Sequence, residues 1–282
     1  KLGCFGYQRN ITPNIDSLAR EGITFTQAFS NGPATSFSFP SIFTSSYALM
    51  YPSKEFQYTE SVGVYMPSIY GGITLAEVLR REGFYTTGIH SNPWLSSYYN
   101  YNRGFNRFIE LLDPSPTSGY TRCFEIVWGK SKYHNADEIT RTAINWIEKN
   151  TKRKFFLWLH YMDPHRPYIA HSFSKNASSY LKVFLSMGDK AKLYEELYEC
   201  EVKYVDRVIG NFLRRLERMG IWIDENFIFL TADHGEEFGE HGGTGHYLKL
   251  YDELLHVPLI IDGPDIEKKQ TANHQVELLD VS

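Results

Sequence analysis

Phe227-Ile228-Phe229-Leu230-Thr231-Ala232-Asp233-His234-Gly235-Glu236-Glu237-Phe238-Gly239-Glu240-His241-Gly242 is the stretch on which the fold turns. Its first four residues form a short apolar run, the pattern of a strand buried on both faces of a sheet. A Gly- and His-rich loop follows at once. Ligands gather at the carboxyl ends of strands in open α/β sheets, and an Asp-His pair there offers one oxygen and one nitrogen to a divalent cation. Alone, such a pair reads as a capped strand end with a satisfied histidine. The glycines and acids around it change that reading, because they let the loop pass close to an ion.

Working outward, helices alternate with short apolar runs. Residues 190–219 carry Val202, Val205, Ile209, Phe212 and Leu216 at helical spacing and stop at Gly220. Residues 257–261 form the next strand-like run. Upstream, a capped amphipathic helix over 135–150 precedes the apolar run 155–161, a candidate central strand. A helix over 74–81, ended by Gly83, leads into a strand over 84–89. Thr12-Pro13-Asn14-Ile15-Asp16 opens a first helix that closes at Gly22, and 23–29 alternates like a strand.

This order predicts an α/β domain with a mostly parallel central sheet and helices on both faces. Its 282 residues suit one large domain. Residues 91–134, rich in Tyr, Asn and Pro, read as an insertion over the catalytic face, with Tyr98, Tyr99 and Tyr101 in a packed surface or a substrate cleft. Doubly wound domains usually open with a strand, so a first strand is expected before Lys1. The apolar period that starts at 276–282 is likewise expected to continue in a C-terminal portion.

Hydrophobic residues make up 42%, charged residues 22% and aromatics 16%, which excludes a disordered chain. A net charge of −4 gives no basic field, so no nucleic-acid partner is expected. Cys4, Cys123 and Cys200 lack metal-type spacing and read as buried thiols. Asn10-Ile11-Thr12 and Asn176-Ala177-Ser178 match the glycosylation triplet at a level chance supplies. No targeting or membrane segment is visible, which gives a cytoplasmic expectation.

Four ordered segments together resemble the sulfatase family of the alkaline phosphatase superfamily. Asp233 to Gly242, continued by Gly245-His246-Tyr247-Leu248-Lys249 and on to Ile261, is similar to the family's C-terminal metal and anion-binding segment. Gly3-Cys4-Phe5-Gly6-Tyr7 with Thr12-Pro13-Asn14-Ile15-Asp16-Ser17-Leu18-Ala19 resembles its opening motif. Ser38-Phe39-Pro40-Ser41 resembles its nucleophile motif, and Leu159-His160-Tyr161-Met162-Asp163-Pro164-His165-Arg166-Pro167-Tyr168 its leaving-group segment.

The resemblance implies an alkaline-phosphatase-like fold and a metal-dependent hydrolase of sulfate esters. Asp233 and His234 would hold one divalent cation, Ca²⁺ first with Mg²⁺ or Mn²⁺ as alternatives, and Ser38 would sit against it as the nucleophile. A helix N-terminus there favours a bound oxyanion and an ionised nucleophile. The family oxidises this residue to formylglycine under a signal that includes an arginine two residues after the proline. Ile42 stands at that place, which leaves an unmodified Ser38 as a second option. His165 would protonate the departing oxygen, as a group with a pKa of ~6.5 can near neutrality. His246, or Lys249 nearby, would hold the non-bridging oxygens.

His160 reads as a satisfied core histidine, Glu236 and His241 as supporting residues, and His90 falls outside the core set. Asp163 is a metal ligand only in a two-metal arrangement. Two ligands are few for a catalytic cation, and the family takes its further acidic ligands from the strand expected before Lys1, so the site within these residues is expected to be incomplete. The partner is then a small-molecule or carbohydrate sulfate ester. The alternatives are a phosphomonoester, phosphodiester or phosphonate hydrolase or phosphoryl transferase using unmodified Ser38, and a non-catalytic remnant of the fold.

Overall fold

The computed structural model describes residues 1–47, 69, 71–112, 135–166, 168, 190–222, 225–246 and 249–282. Helix α1 (Pro13–Glu21) has proline in its first turn, where a missing N–H costs nothing, and leads into β1 (Ile23–Phe29). Helix α2 (Thr35–Thr44) follows β1 after a short loop. Helix α3 (Leu75–Arg81) starts in a reciprocal Thr74/Glu77 cap and precedes β2 (Tyr85–His90) and β3 (Arg107–Glu110). Helix α4 (Ala136–Glu148) has the same kind of cap from Asn135 and Glu138, worth about 1 kcal/mol, and leads to β4 (Phe155–Leu159).

The long helix α5 (Lys190–Arg218) brings the chain back to β5 (Ile228–Thr231). A small hairpin of β6 (Glu237–Phe238) and β7 (Thr244–Gly245) comes next, then the one-turn helix α6 (Asp252–Leu255). Strands β8 (Leu259–Asp262) and β9 (Gln270–Glu277) complete the described elements.

The strands form a four-stranded sheet in the order β5-β8-β1-β9, a three-stranded sheet in the order β3-β2-β4, and the β6-β7 hairpin. The second sheet is wholly parallel, as expected. The first is mixed, because β8 runs antiparallel to both β1 and β5. A parallel return needs a crossover of a dozen or more residues, usually a helix. Among the described residues between β5 and β8 the only helix is the single turn of α6, so the chain re-enters the sheet from the rim it had just left.

Side-chain alternation explains why both faces of the parallel sheet are covered. Leu157 and Leu159 of β4 and Ile89 of β2 pack under Ile139 and Ala143 of α4 and Phe212 of α5. Phe156 and Trp158 point the other way, onto Phe39 and Phe43 of α2 and Ala76 of α3. Helix α1 supplies Ile15, Leu18 and Ala19 to a further cluster with Ile260 of β8 and Ile209 and Leu213 of α5.

Within residues 91–112, Leu95, Tyr99 and Tyr101 are buried in the α2–α3 cluster and β3 extends the parallel sheet. Tyr98 alone of the three tyrosines is exposed, at 73%, and residues 113–134 lie outside the described residues. Among the described residues no helix is long and apolar enough to cross a membrane. Cys4 and Cys200 are half-buried free thiols, and Cys123 lies outside the described residues.

Candidate active site

The ends of β1, β4 and β5 converge on one rim. The Ser30 hydroxyl, just past β1, donates to the main-chain carbonyl of Asp233, just past β5. Gly235 then crosses the α6 segment so closely that an added Cβ would meet the Glu253 carbonyl at 2.0 Å. Only glycine fits there, and its N–H donates to the Leu254 carbonyl at 2.7 Å. This packing fixes the backbone that carries Asp233 and His234.

His234 Nδ1 lies 2.9 Å from the Gly235 carbonyl. A carbonyl can only accept, so the proton sits on Nδ1 and Nε2 keeps its lone pair. Nε2 faces Asp233 Oδ2 at 3.4 Å. Burial holds the His234 imidazole below its ordinary pKa, with Asp233 opposing and His246 adding to the effect. Burial pushes the Asp233 carboxyl up, but the fields of His234, His160 and His246 and the Thr35 hydroxyl outweigh it and bring the pKa below the usual carboxylate value. A neutral nitrogen lone pair and an ionised carboxylate aimed at each other form a donor set that fits a divalent cation.

Ser38 lies in α2, fully buried, with its hydroxyl 3.2 Å from the Ala34 carbonyl and 3.4 Å from Asp233 Oδ2. Helix α2 starts one turn earlier than the motif suggests, so the Ser38 N–H is already bonded to Ala34. Thr35 opens the helix, and its half-buried hydroxyl donates to the same Asp233 oxygen at 3.2 Å. Sequence reasoning missed Thr35. Its signal was confined to a Ser/Thr-rich turn after Pro33.

Three histidines form a row beside this carboxylate. The ring of His246 lies 4.1 Å from that of His234 and 5.0 Å from that of His165. His246 Nδ1 donates to Glu236 Oε1 at 3.1 Å, and Tyr168 Oη donates to Glu236 Oε2 at 3.1 Å. Burial raises the Glu236 carboxyl, but the His246 hydrogen bond and the neighbouring histidines bring it below the ordinary range, so it is ionised. His165 Nδ1 lies 2.5 Å from the Arg166 carbonyl, which leaves Nε2 facing away from the main chain. Burial, then the field of His246, drives the His165 imidazole down to about 4. A positive charge is disfavoured where three histidines stand side by side.

The Lys249 ammonium is held on the buried Glu237 at 2.6 Å. Glu237, His241 and Glu253 come close enough to hold a metal. There the Lys249 ammonium already stands on the Glu237 carboxylate, and His241 pairs with Glu253 at 2.5 Å. Asp163 accepts the Ala136 N–H at 2.9 Å, so its carboxylate serves the N-terminus of α4. His160 is buried without a partner for Nδ1, and burial lowers its pKa to about 4. The Tyr101 hydroxyl, also buried, feels the Asp233 charge.

The sulfatase family model matches residues 1–282, and the chain belongs to that family. It is 24% identical to the uncharacterized sulfatase YidJ of Escherichia coli, covering 95% of this chain and 61% of that protein. It is 24% identical to an ulvan-active sulfatase of Formosa agariphila, over 99% of this chain and 57% of that one. Arylsulfatase K of Gallus gallus is 22% identical, over 98% of this chain and 58% of that one.

The chain thus spans roughly three-fifths of the curated relatives it matches. Among solved structures, BT4656 in complex with its substrate D-glucosamine-2-N,6-O-disulfate superposes with a TM-score of 0.73 at 20% identity, over 99% of this chain and 72% of that one. The phosphonate monoester hydrolase of Agrobacterium radiobacter gives 0.70 at 19%, over 99% and 69%. Sulfatases generally use a divalent metal.

Proposed function

We propose that the full-length protein hydrolyses sulfate esters of small molecules or carbohydrates. One observation carries this reading. The Ser38 and Thr35 hydroxyls approach Asp233 Oδ2 at 3.4 and 3.2 Å, on the same rim where His246 bridges His234 and His165. Asp233 and His234 would hold a divalent cation, Ca²⁺ first with Mg²⁺ or Mn²⁺ as alternatives, which would supply positive charge to the oxyanion. The Ser38 oxygen, unmodified or as formylglycine, attacks sulfur in line.

The carboxylate of Asp233 faces that hydroxyl and helps to order it. His246, its ring oriented by the Nδ1 bond to Glu236, turns Nε2 toward a non-bridging oxygen. His165 delivers a proton from Nε2 to the departing alcohol. Burial holds its imidazole at about 4, and a bound sulfate's negative charge favours the imidazolium.

A second reading places the nucleophile at Thr35. The support is exposure, since Ser38 is fully buried and bonded back to its own helix, whereas Thr35 is half-buried at the helix start. An unmodified hydroxyl with Ile42 beside it also suits phosphate or phosphonate esters, and one solved neighbour is named a phosphonate monoester hydrolase. Parallel assays of full-length protein with aryl sulfate and aryl phosphate, with mass spectrometry of the 35–42 peptide, test the choice. Faster turnover of the phosphate and no aldehyde at Ser38 would reject the sulfatase assignment.

A further inference from the structure

Arg166 directly follows His165 in the chain, yet none of the steps above uses its side chain. Its guanidinium lies 4.5 Å from the ring centre of Tyr194 and 5.8 Å from that of Tyr168. Its Nε and Nη2 are buried, and neither has a hydrogen-bond partner among the described residues. These two N–H groups share one edge of the guanidinium plane, the fork that grips two oxygens of a carboxylate or sulfate. Buried donors in native proteins nearly always have acceptors, and an oxyanion suits both groups of this edge at once.

The surroundings say which part of a substrate it would meet. Tyr168, under the guanidinium, donates to Glu236, whose other oxygen holds His246. The fork is therefore one tyrosine away from the histidine row. Arg166 follows His165, the group assigned to the departing oxygen, so the alcohol portion is the part of the substrate we assign to the fork. Tyr198 and Phe238, 5.0 Å apart, continue the aromatic wall beside Tyr168 with flat faces that suit a sugar ring.

We propose that Arg166 is a specificity-determining residue that binds a second oxyanion, a sulfate or a carboxylate, on the alcohol portion of an acidic carbohydrate ester. This rests on the sulfate-ester reading and narrows it to substrates that carry at least two anionic groups. Two parallel charge-assisted bonds from a buried fork favour such a ligand by about tenfold or more over its singly charged counterpart.

Calorimetry on full-length protein silenced by Ser38→Ala and Thr35→Ala tests this with three ligands: a monosulfated neutral sugar, its disulfated form, and a monosulfated uronic acid. The arginine protein should prefer at least one dianion by about tenfold or more, and which one tells sulfate from carboxylate. Arg166→Met should bind all three alike, and Arg166→Lys, which keeps charge but loses the fork, should fall between. Thermal melts confirm that each variant is folded. Equal binding of all three ligands to the arginine protein, or a preference that survives in Arg166→Met, overturns the proposal. If wild-type protein cleaves no sulfate ester while the Arg166-dependent preference persists, the reaction assignment fails and the subsite stands.

Discussion

Glu236 holds His246 by its Nδ1 at 3.1 Å and takes the Tyr168 hydroxyl on its other oxygen, so one buried carboxylate sets the orientation of the central histidine in the row. Glu236→Ala should lower kcat by roughly 10- to 100-fold, the usual effect of removing an orienting partner. Glu236→Gln, whose amide oxygen can still accept, should lose less. Steady-state kinetics on the two variants checks the order. Equal losses would mean that the residue serves folding alone.

The two hydroxyls on α2 make different forecasts. If Ser38 carries the reaction, Ser38→Ala should drop turnover by roughly 10³-fold or more and Thr35→Ala by far less. If Thr35 carries it, the ranking reverses and Thr35→Ser should retain activity. Single-turnover trapping of a modified peptide identifies the oxygen directly.

Metal content separates the two candidate ion sites. Asp233→Asn should release the cation and abolish chelator-sensitive activity in the full-length protein, because it removes the carboxylate assigned to hold it. His241→Ala should leave metal content unchanged, because Lys249 already neutralises Glu237 in that cluster. Elemental analysis of both variants decides. Loss of the ion in His241→Ala would move the metal to the loop.

Acid should destabilise the fold through histidines kept neutral by burial. His90 is fully buried, and burial, then the field of His160, lowers its pKa to about 3. The unfolded chain takes up this proton near pH ~6.5 and the folded chain does not. Stability from this group is thus fully present above ~6.5 and declines as pH falls toward about 3. His90→Leu should flatten the dependence within that window by up to about 1.4 kcal/mol per pH unit, measured by urea unfolding at several pH values.

What the sequence disclosed depended on how each residue makes its contribution. Asp233 and His234 were legible because an apolar run followed by acid, histidine and glycine is a local signal of a strand ending at a ligand. The wholly parallel β2 to β4 region was legible for the same reason. Strand β9 was not, since Gln270 to Glu277 has few apolar residues and is a strand only because β1 pairs with it. Tyr99 and Tyr101 read as surface because their neighbours are Asn and Ser, yet their rings fill the space between α2 and α3. Lys249 read as an anion contact because nothing in the chain shows that Glu237, twelve residues earlier, folds back beneath it.

Strand β1 sits between β8 and β9, so both of its neighbours in the sheet come from residues 259–277. A ribosome making this protein therefore releases β1 long before β8 and β9 can pair with it. Until those late residues emerge, the early strand is an open edge prone to mispairing, and the loop that begins at Ser30 has no Asp233 to dock on. Nascent chains halted before β8 should be inert and dependent on chaperones, however well their own helices form.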